Sequence, residues 1–215
     1  METLLTEILA FIAKREKTVI RICGHGGSGK STFAQQLLQA LPAGEANLLS
    51  CDPYIILGKY SQDALLSYDI DGQSTQHAIT ACHPLRHELS SLRRDLQMLA
   101  AGMDILTIDT PWQAQERLMA KRSVTVVEGM TPTFLEADLF DLSIFIYTDG
   151  ETELMRRLAR DTSQRGRDAS FVQQTHAHRR QQYELYMAPL MSTFDLVINQ
   201  SANDFVVERS IFSKD

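Results

Sequence analysis

Cysteine is scarce: three residues in 215, at positions 23, 51 and 82. The number is odd and the spacing is not that of a metal site, so they read as reduced cytosolic thiols, mostly core filler. No apolar run approaches membrane-spanning length, and the start lacks the basic-then-apolar order of a signal peptide. A soluble, cytoplasmic protein is therefore expected. Positive charge is not in excess either. The formal net charge of −6 argues against a broad nucleic-acid footprint and leaves room only for a local basic channel. Repeats, low-complexity tracts and Pro/Gly/Ser linkers are absent. The length suits one α/β domain over residues 1–215, with an N-terminal helix in 1–17 and a small lid at about 155–170.

Apolar periodicity is plentiful. Leu4, Leu5, Ile8, Leu9 and Ile12 form one stripe, predicting a helix within 3–16. Strands are expected at Thr18–Cys23, Asn47–Cys51, Asp104–Ile108, Ser123–Val127, Leu142–Tyr147 and Asp195–Ile198. Helical patterns follow Ser31, run from Pro84 through Leu99 to a stop at Gly102, and cover Leu154–Asp161 and Phe171–Met187. Residues 53 to 82 carry no clear period. Strands alternating with helices predict an α/β fold: a doubly wound parallel sheet with helices on both faces. In such sheets ligands bind at the carboxyl ends of the strands.

One stretch carries the first chemistry. Gly24-His25-Gly26-Gly27-Ser28-Gly29-Lys30-Ser31-Thr32 lies between a β-like run and a helix-like run, and its fixed positions match the P-loop. Glycines let consecutive amide N–H groups turn inward, and the following helix N-terminus adds positive potential. Lys30 is expected on the β- and γ-phosphates of ATP, with the Ser31 hydroxyl on Mg²⁺. His25, at a variable position, is assigned no chemistry.

Three further features should share that edge. Asp52 follows the strand ending at Cys51 and could accept the proton of an attacking hydroxyl, bind Mg²⁺ through water, or simply open an Asp-Pro turn. Glu128 closes Val124-Thr125-Val126-Val127-Glu128, where a P-loop enzyme keeps its second Mg²⁺-side group. Arg156, Arg157, Arg160, Arg165 and Arg167 straddle Gly166. Arginine forks stabilise a transferring phosphoryl group, and a glycine hinge lets such a segment close. The alternative for the run is a solvated helix face.

In these pieces and their order the chain resembles the uridine kinase and phosphoribulokinase group of P-loop kinases, from about Val19 to Ile198. The residues that carry the resemblance are the P-loop, Asp52 with Tyr54, Val126-Val127-Glu128-Gly129, Leu139-Phe140-Asp141-Leu142, the run ending Arg165-Gly166-Arg167-Asp168, and the Ala188-Pro189 to Ile198 stretch. The resemblance implies a three-layer P-loop NTPase fold of the nucleoside-kinase type with an arginine-rich lid, and an ATP-dependent kinase with Asp52 as catalytic base. It also implies Arg160 and Arg165 toward the phosphates, and Arg157 and Arg167, with Tyr54 and Arg117, toward the acceptor. A homo-oligomer would be compatible with it.

The acceptor end departs from the uridine kinase pattern. The family's Asp-His-Pro segment reads Cys82-His83-Pro84, with Asp69 or Asp71 as candidate replacements for the acid. Its Pro-x-Tyr segment reads Pro111-Trp112-Gln113, of which only the later Arg117 keeps its type. Its Gln-Tyr pair reads Thr175-His176. Trp112 could stack on a planar substrate or simply pack, and His83 and His87 lie one helical turn apart without a third ligand. The expected activity is transfer of the γ-phosphoryl of ATP to a hydroxyl of a small metabolite, uridine or cytidine included. The alternative acceptor is a sugar, sugar acid or other polyol. The alternative of another class is a nucleotide-dependent switch. Against that, no guanine-reading Asn-Lys-x-Asp occurs in the chain.

Overall fold

The computed structural model describes every residue except Asp71, Arg165, Arg167 and Ser213 to Asp215, with the side chains of Gln164 and Asn203 also undescribed. In chain order the elements are α1 (Glu2–Ile12), β1 (Thr18–Cys23), α2 (Lys30–Ala40), β2 (Ala46–Ser50), β3 (Leu65–Ile70), β4 (Gln73–Ala78) and α3 (Leu89–Ala100). There follow β5 (Ile105–Leu106), β6 (Arg117–Leu118), β7 (Val124–Gly129), β8 (Leu142–Tyr147), α4 (Gly150–Gln164), α5 (Ala169–Tyr186), β9 (Leu196–Asn199) and β10 (Val206–Ser210). No described helix is long and apolar enough to cross a membrane.

Six strands form the main sheet in the order β10-β9-β8-β1-β7-β2. The four inner pairings from β9 to β2 are parallel, as the alternation of strands and helices predicts. The edge strand β10 is a correction: it runs antiparallel to β9, so the sheet is mixed. Asp104–Ile108 is another. Only Ile105 and Leu106 are extended, and they pair with Arg117 and Leu118 in a separate two-stranded ribbon. The unassigned region holds an antiparallel hairpin, β3 with β4, outside the main sheet. The helical pattern from Pro84 is interrupted: a 3-10 turn over Pro84–Arg86 precedes α3. His87 stands between them, pinned by its ring to the Ala81 carbonyl and the Thr131 hydroxyl.

Strand alternation sorts the core onto two faces. Ile20, Ile22, Val126, Leu142, Ile144 and Ile198 point to one side and pack against α1 and α2 through Ile8, Phe33 and Leu37. On the other side Val127 and Leu49 meet α3, while Cys23, Phe145 and Val197 meet Tyr183 and Met187 at the end of α5. The three cysteines are buried and unbridged. Arg21 also points to this second face. Its guanidinium donates to Ser143 Oγ at 2.8 Å and to the Pro132 and Leu135 carbonyls at 3.1 Å each, between the Phe140 and Phe194 rings. Those bonds fix the segment after β7, and hence the strand end at Glu128.

Candidate active site

β1 ends at Cys23, and the P-loop carries the chain directly into α2, whose first residue is Lys30. Gly29 caps that helix at φ +94°, in the left-handed region that glycine enters at little cost. A Cβ there would lie 1.9 Å from Gln200 Oε1, so a larger residue would both strain the backbone and displace the Gln200 side chain. The loop and α2 form one wall of a cleft of about 430 Å³, with Arg156 and Arg160 from α4 and Gln200 and Phe205 from the β9–β10 side completing it. Ser31 and Thr32 lie on the loop wall as well.

The carboxylates arrive by strand register. Glu128 is the residue of β7 opposite Ile22 on β1 and Ser50 on β2. Asp52 stands two residues beyond Ser50, half-exposed at the head of a short 3-10 turn. A Cβ on Gly129 would come within 2.7 Å of Cys51 Cβ, and its φ of +152° is unfavourable for other residues. Glycine at that point lets β7 and the chain entering Asp52 approach closely. P-loop, Glu128 and Asp52 thus occupy the carboxyl ends of three adjacent strands.

Within this group Ser31 Oγ donates to Glu128 Oε1 at 3.1 Å, and Lys30 Nζ stands 3.7 Å from the same oxygen and 3.5 Å from the His25 carbonyl. A hydroxyl and a carboxylate converging beside a P-loop lysine suit Mg²⁺, which takes hard oxygens, keeps several waters and borrows the rest from phosphates. No cluster of three His, Cys, Asp or Glu side chains able to hold a metal occurs among the described residues.

Beneath the loop lies a buried polar group that the sequence did not disclose. The His25 side chain turns into the core, fully buried, with Nε2 accepting from the Thr148 N–H at 3.0 Å and Nδ1 at 3.1 Å from the Gly26 carbonyl. Its ring packs edge-on to Tyr183. Glu153, in α4, lies 3.5 Å from His25 Nδ1, 3.5 Å from Arg157 Nη1 and 3.7 Å from Arg180 Nη1. Burial pushes the His25 pKa down to about 4, so the ring is neutral. Burial does the same to His87. Both values fall below the unfolded value of about 6.5, so their stability contribution is complete above that pH and is lost as pH falls toward 4. Each should cost about 2 kcal/mol between pH 7 and pH 5. Urea unfolding at the two pH values should show the loss, smaller by one share in His87→Gln. Equal stability at both would contradict the neutral assignment.

The arginine run divides by position. Arg156 donates to the Gly27 carbonyl at 3.4 Å and the Gln200 carbonyl at 2.9 Å. Arg160 bonds Asp161 at 2.9 Å through Nε, and its Nη2 lies 4.0 Å from where a Cβ on Gly26 would stand. Arg157, expected toward the acceptor, is 2% exposed and packs against Gly27 from below, between Glu153 and Asp161. Its i, i+4 carboxylates hold it there. The helix break expected around Gly166 is present: α4 ends at Gln164, and α5 starts at Ala169 with Asp168 as its N-cap. The roles expected for Arg165 and Arg167 lie outside the described residues.

On the acceptor side two expected residues are engaged elsewhere. Tyr54 is fully buried, its hydroxyl donating to Asp95 at 2.5 Å. The Arg117 side chain is 70% exposed and paired with Asp104 at 2.8 Å, on the small ribbon. Trp112 is half exposed, while the neighbouring Gln113 accepts from Ser50 Oγ at 3.2 Å. Cys82 is buried, His83 caps the Pro84 turn through Leu85 N–H, and Asp69 is exposed on the hairpin. Asp71 is outside the described residues. Gln200 and Phe205 were missed, although the rule that strand ends hold ligands points to Gln200, the first residue after β9.

A family model described as phosphoribulokinase/uridine kinase matches residues 19–206. A uridine kinase of Alkaliphilus metalliredigens is 28% identical over 206 residues, covering 88% of this chain and 93% of that protein. Uridine-cytidine kinase A of Dictyostelium discoideum is 26% identical over 197 residues, 87% of this chain, which spans 37% of that relative's length. The solved D-glycerate 3-kinase of Cryptococcus neoformans superposes with a TM-score of 0.65 over 97% of this chain and 98% of that one, at 11% identity, a likeness of fold alone.

Proposed function

This chain belongs to the phosphoribulokinase/uridine kinase family, ATP-dependent phosphotransferases with an alcohol acceptor, and from that premise we propose that it phosphorylates a small polyol or hydroxy acid with Asp52 as general base. The observation that carries the proposal is the meeting of P-loop, Glu128 and Asp52 at three adjacent strand ends. Phosphoryl transfer asks mainly for positioning and charge neutralisation. The loop amides from Gly24 to Thr32 and Lys30 hold the phosphates. Ser31 and Glu128 would hold Mg²⁺, which would supply charge neutralisation at the phosphates. Asp52 takes the proton of the attacking hydroxyl, and Arg160, with Arg165, covers the phosphates while water is excluded.

The preference for a polyol or hydroxy acid rests on what the acceptor side does with its polar groups. Tyr54 gives its hydroxyl to Asp95, Arg117 pairs with Asp104 on the surface, and Cys82 fills the place of an acid. A nucleoside left without matched donors and acceptors would bind several kcal/mol more weakly. The second reading is a pyrimidine nucleoside, favoured by the 28% identity to a uridine kinase. Acceptor-dependent ADP release across sugars, sugar acids, small polyols, uridine and cytidine decides between them. We expect the highest kcat/KM for a non-nucleoside. A preference for uridine would select the second reading, and nucleotide turnover indifferent to every acceptor would point to a switch.

A further inference from the structure

Arg179 lies on the inward stripe of α5, between buried Val172 and buried Gln182 and Tyr183. Three features set it apart from a structural arginine. Its Nε is buried and donates to no acceptor among the described residues. No carboxylate among them pairs with it, whereas Arg180, one position on, is fully engaged. Arg180 donates to the Thr148 carbonyl at 2.9 Å and to Glu184 at 3.0 Å, and lies over the Tyr183 ring. Third, Arg179 Nη2 reaches the P-loop, 3.6 Å from where a Cβ on Gly26 would stand, and Arg160 Nη2 approaches the same point to 4.0 Å.

The charges nearby make this placement costly without an anion. Arg157 and Arg86 both have their pKa lowered, first by burial and then by the Arg179 charge. Arg86 spends its donors on the Ile56 and Ile79 carbonyls. Glu153 is shared by Arg157, Arg180 and His25, and Asp161 by Arg157 and Arg160. A half-buried guanidinium whose Nε is buried and idle, among like charges and facing a phosphate loop, calls for an anionic ligand on that face.

We propose that Arg179 is a further catalytic residue, donating from the rigid α5 helix to the γ-phosphoryl group above Gly26. It complements Arg160 on α4, so two forks from different helices grip the group being transferred. The proposal rests on the kinase reading above, and its test separates the two. ADP lacks the group in question, whereas ADP with beryllium fluoride restores a γ-phosphate mimic, and both bind without any acceptor. Fluorescent ADP should bind Arg179→Gln as it binds the unaltered protein. Beryllium fluoride should strengthen its retention about tenfold less in the variant, the scale of one charge-assisted hydrogen bond. With the best acceptor, kcat should fall about tenfold with little change in acceptor KM, and Arg179→Lys should recover only part, lacking the planar fork. Three results overturn the proposal: an unchanged beryllium fluoride effect, equal loss for both nucleotide states, or a raised acceptor KM at unaltered kcat. Arg179→Lys keeps the cation and supplies the same comparison if the Gln variant does not fold. Failure of the unaltered protein to bind nucleotide would instead sink the kinase reading.

Discussion

Lys30→Ala should lower turnover at least about a thousandfold, the scale of removing a preorganised charge from a phosphoryl-transfer site. Lys30 opens α2, so its ammonium stands where the loop amides and the helix N-terminus already concentrate positive potential. The structure holds it between the His25 carbonyl and Glu128. Its charge is thus positioned before ATP arrives and costs little reorganisation when negative charge spreads over the phosphoryl oxygens. Alanine removes that charge and leaves Glu128 without its lysine, so ATP affinity should also drop. Thermal melts with and without ATP should show a folded variant that nucleotide no longer stabilises, and a coupled ADP assay should read the rate. Near-normal turnover in a folded Lys30→Ala protein would contradict the phosphate-site assignment.

Asp52→Asn should reduce kcat at least about a hundredfold while ATP affinity stays within about a factor of a few, as expected when a positioned base is lost but shape is kept. Asp52 sits past β2, across β7 from the P-loop strand β1. Asparagine preserves the volume there and cannot take the hydroxyl proton. The two alternatives for this carboxylate therefore separate cleanly. Weakened ATP–Mg²⁺ affinity at undiminished turnover would make Asp52 a metal-side group, and an unaltered enzyme would make it a turn opener.

The phosphate half of the site was legible because its signals are local. A P-loop needs a fixed run of residues, and Thr18–Cys23 and Leu142–Tyr147 are strands over the residues that their apolar runs predict. Glu128 and Asp52 could be placed at the same sheet edge as the P-loop because strand ends in a parallel sheet share one edge. The acceptor half depends on long-range partners that spacing does not encode. Nothing near Tyr54 announces Asp95, 41 residues away, and nothing near His25 announces Thr148 and Glu153. Arg157, expected toward the acceptor, is buried between acidic neighbours at i−4 and i+4, a local pairing that the sequence did display. The β3–β4 hairpin was missed although Asp71-Gly72 is a hairpin-turn dipeptide, because its strands carry polar residues on both faces. The strand β10 was missed because Val206–Ser210 covers the sheet edge with mostly exposed residues and shows no buried run.

The fate of the γ-phosphorus tests the central claim most directly. With ATP, Mg²⁺ and the best acceptor from the panel, ³¹P NMR should show a phosphate monoester growing in step with ADP, and both growing at least about a hundredfold more slowly when Asp52 is replaced by asparagine. ATP consumed to ADP and inorganic phosphate at the same rate with and without acceptor would contradict the account.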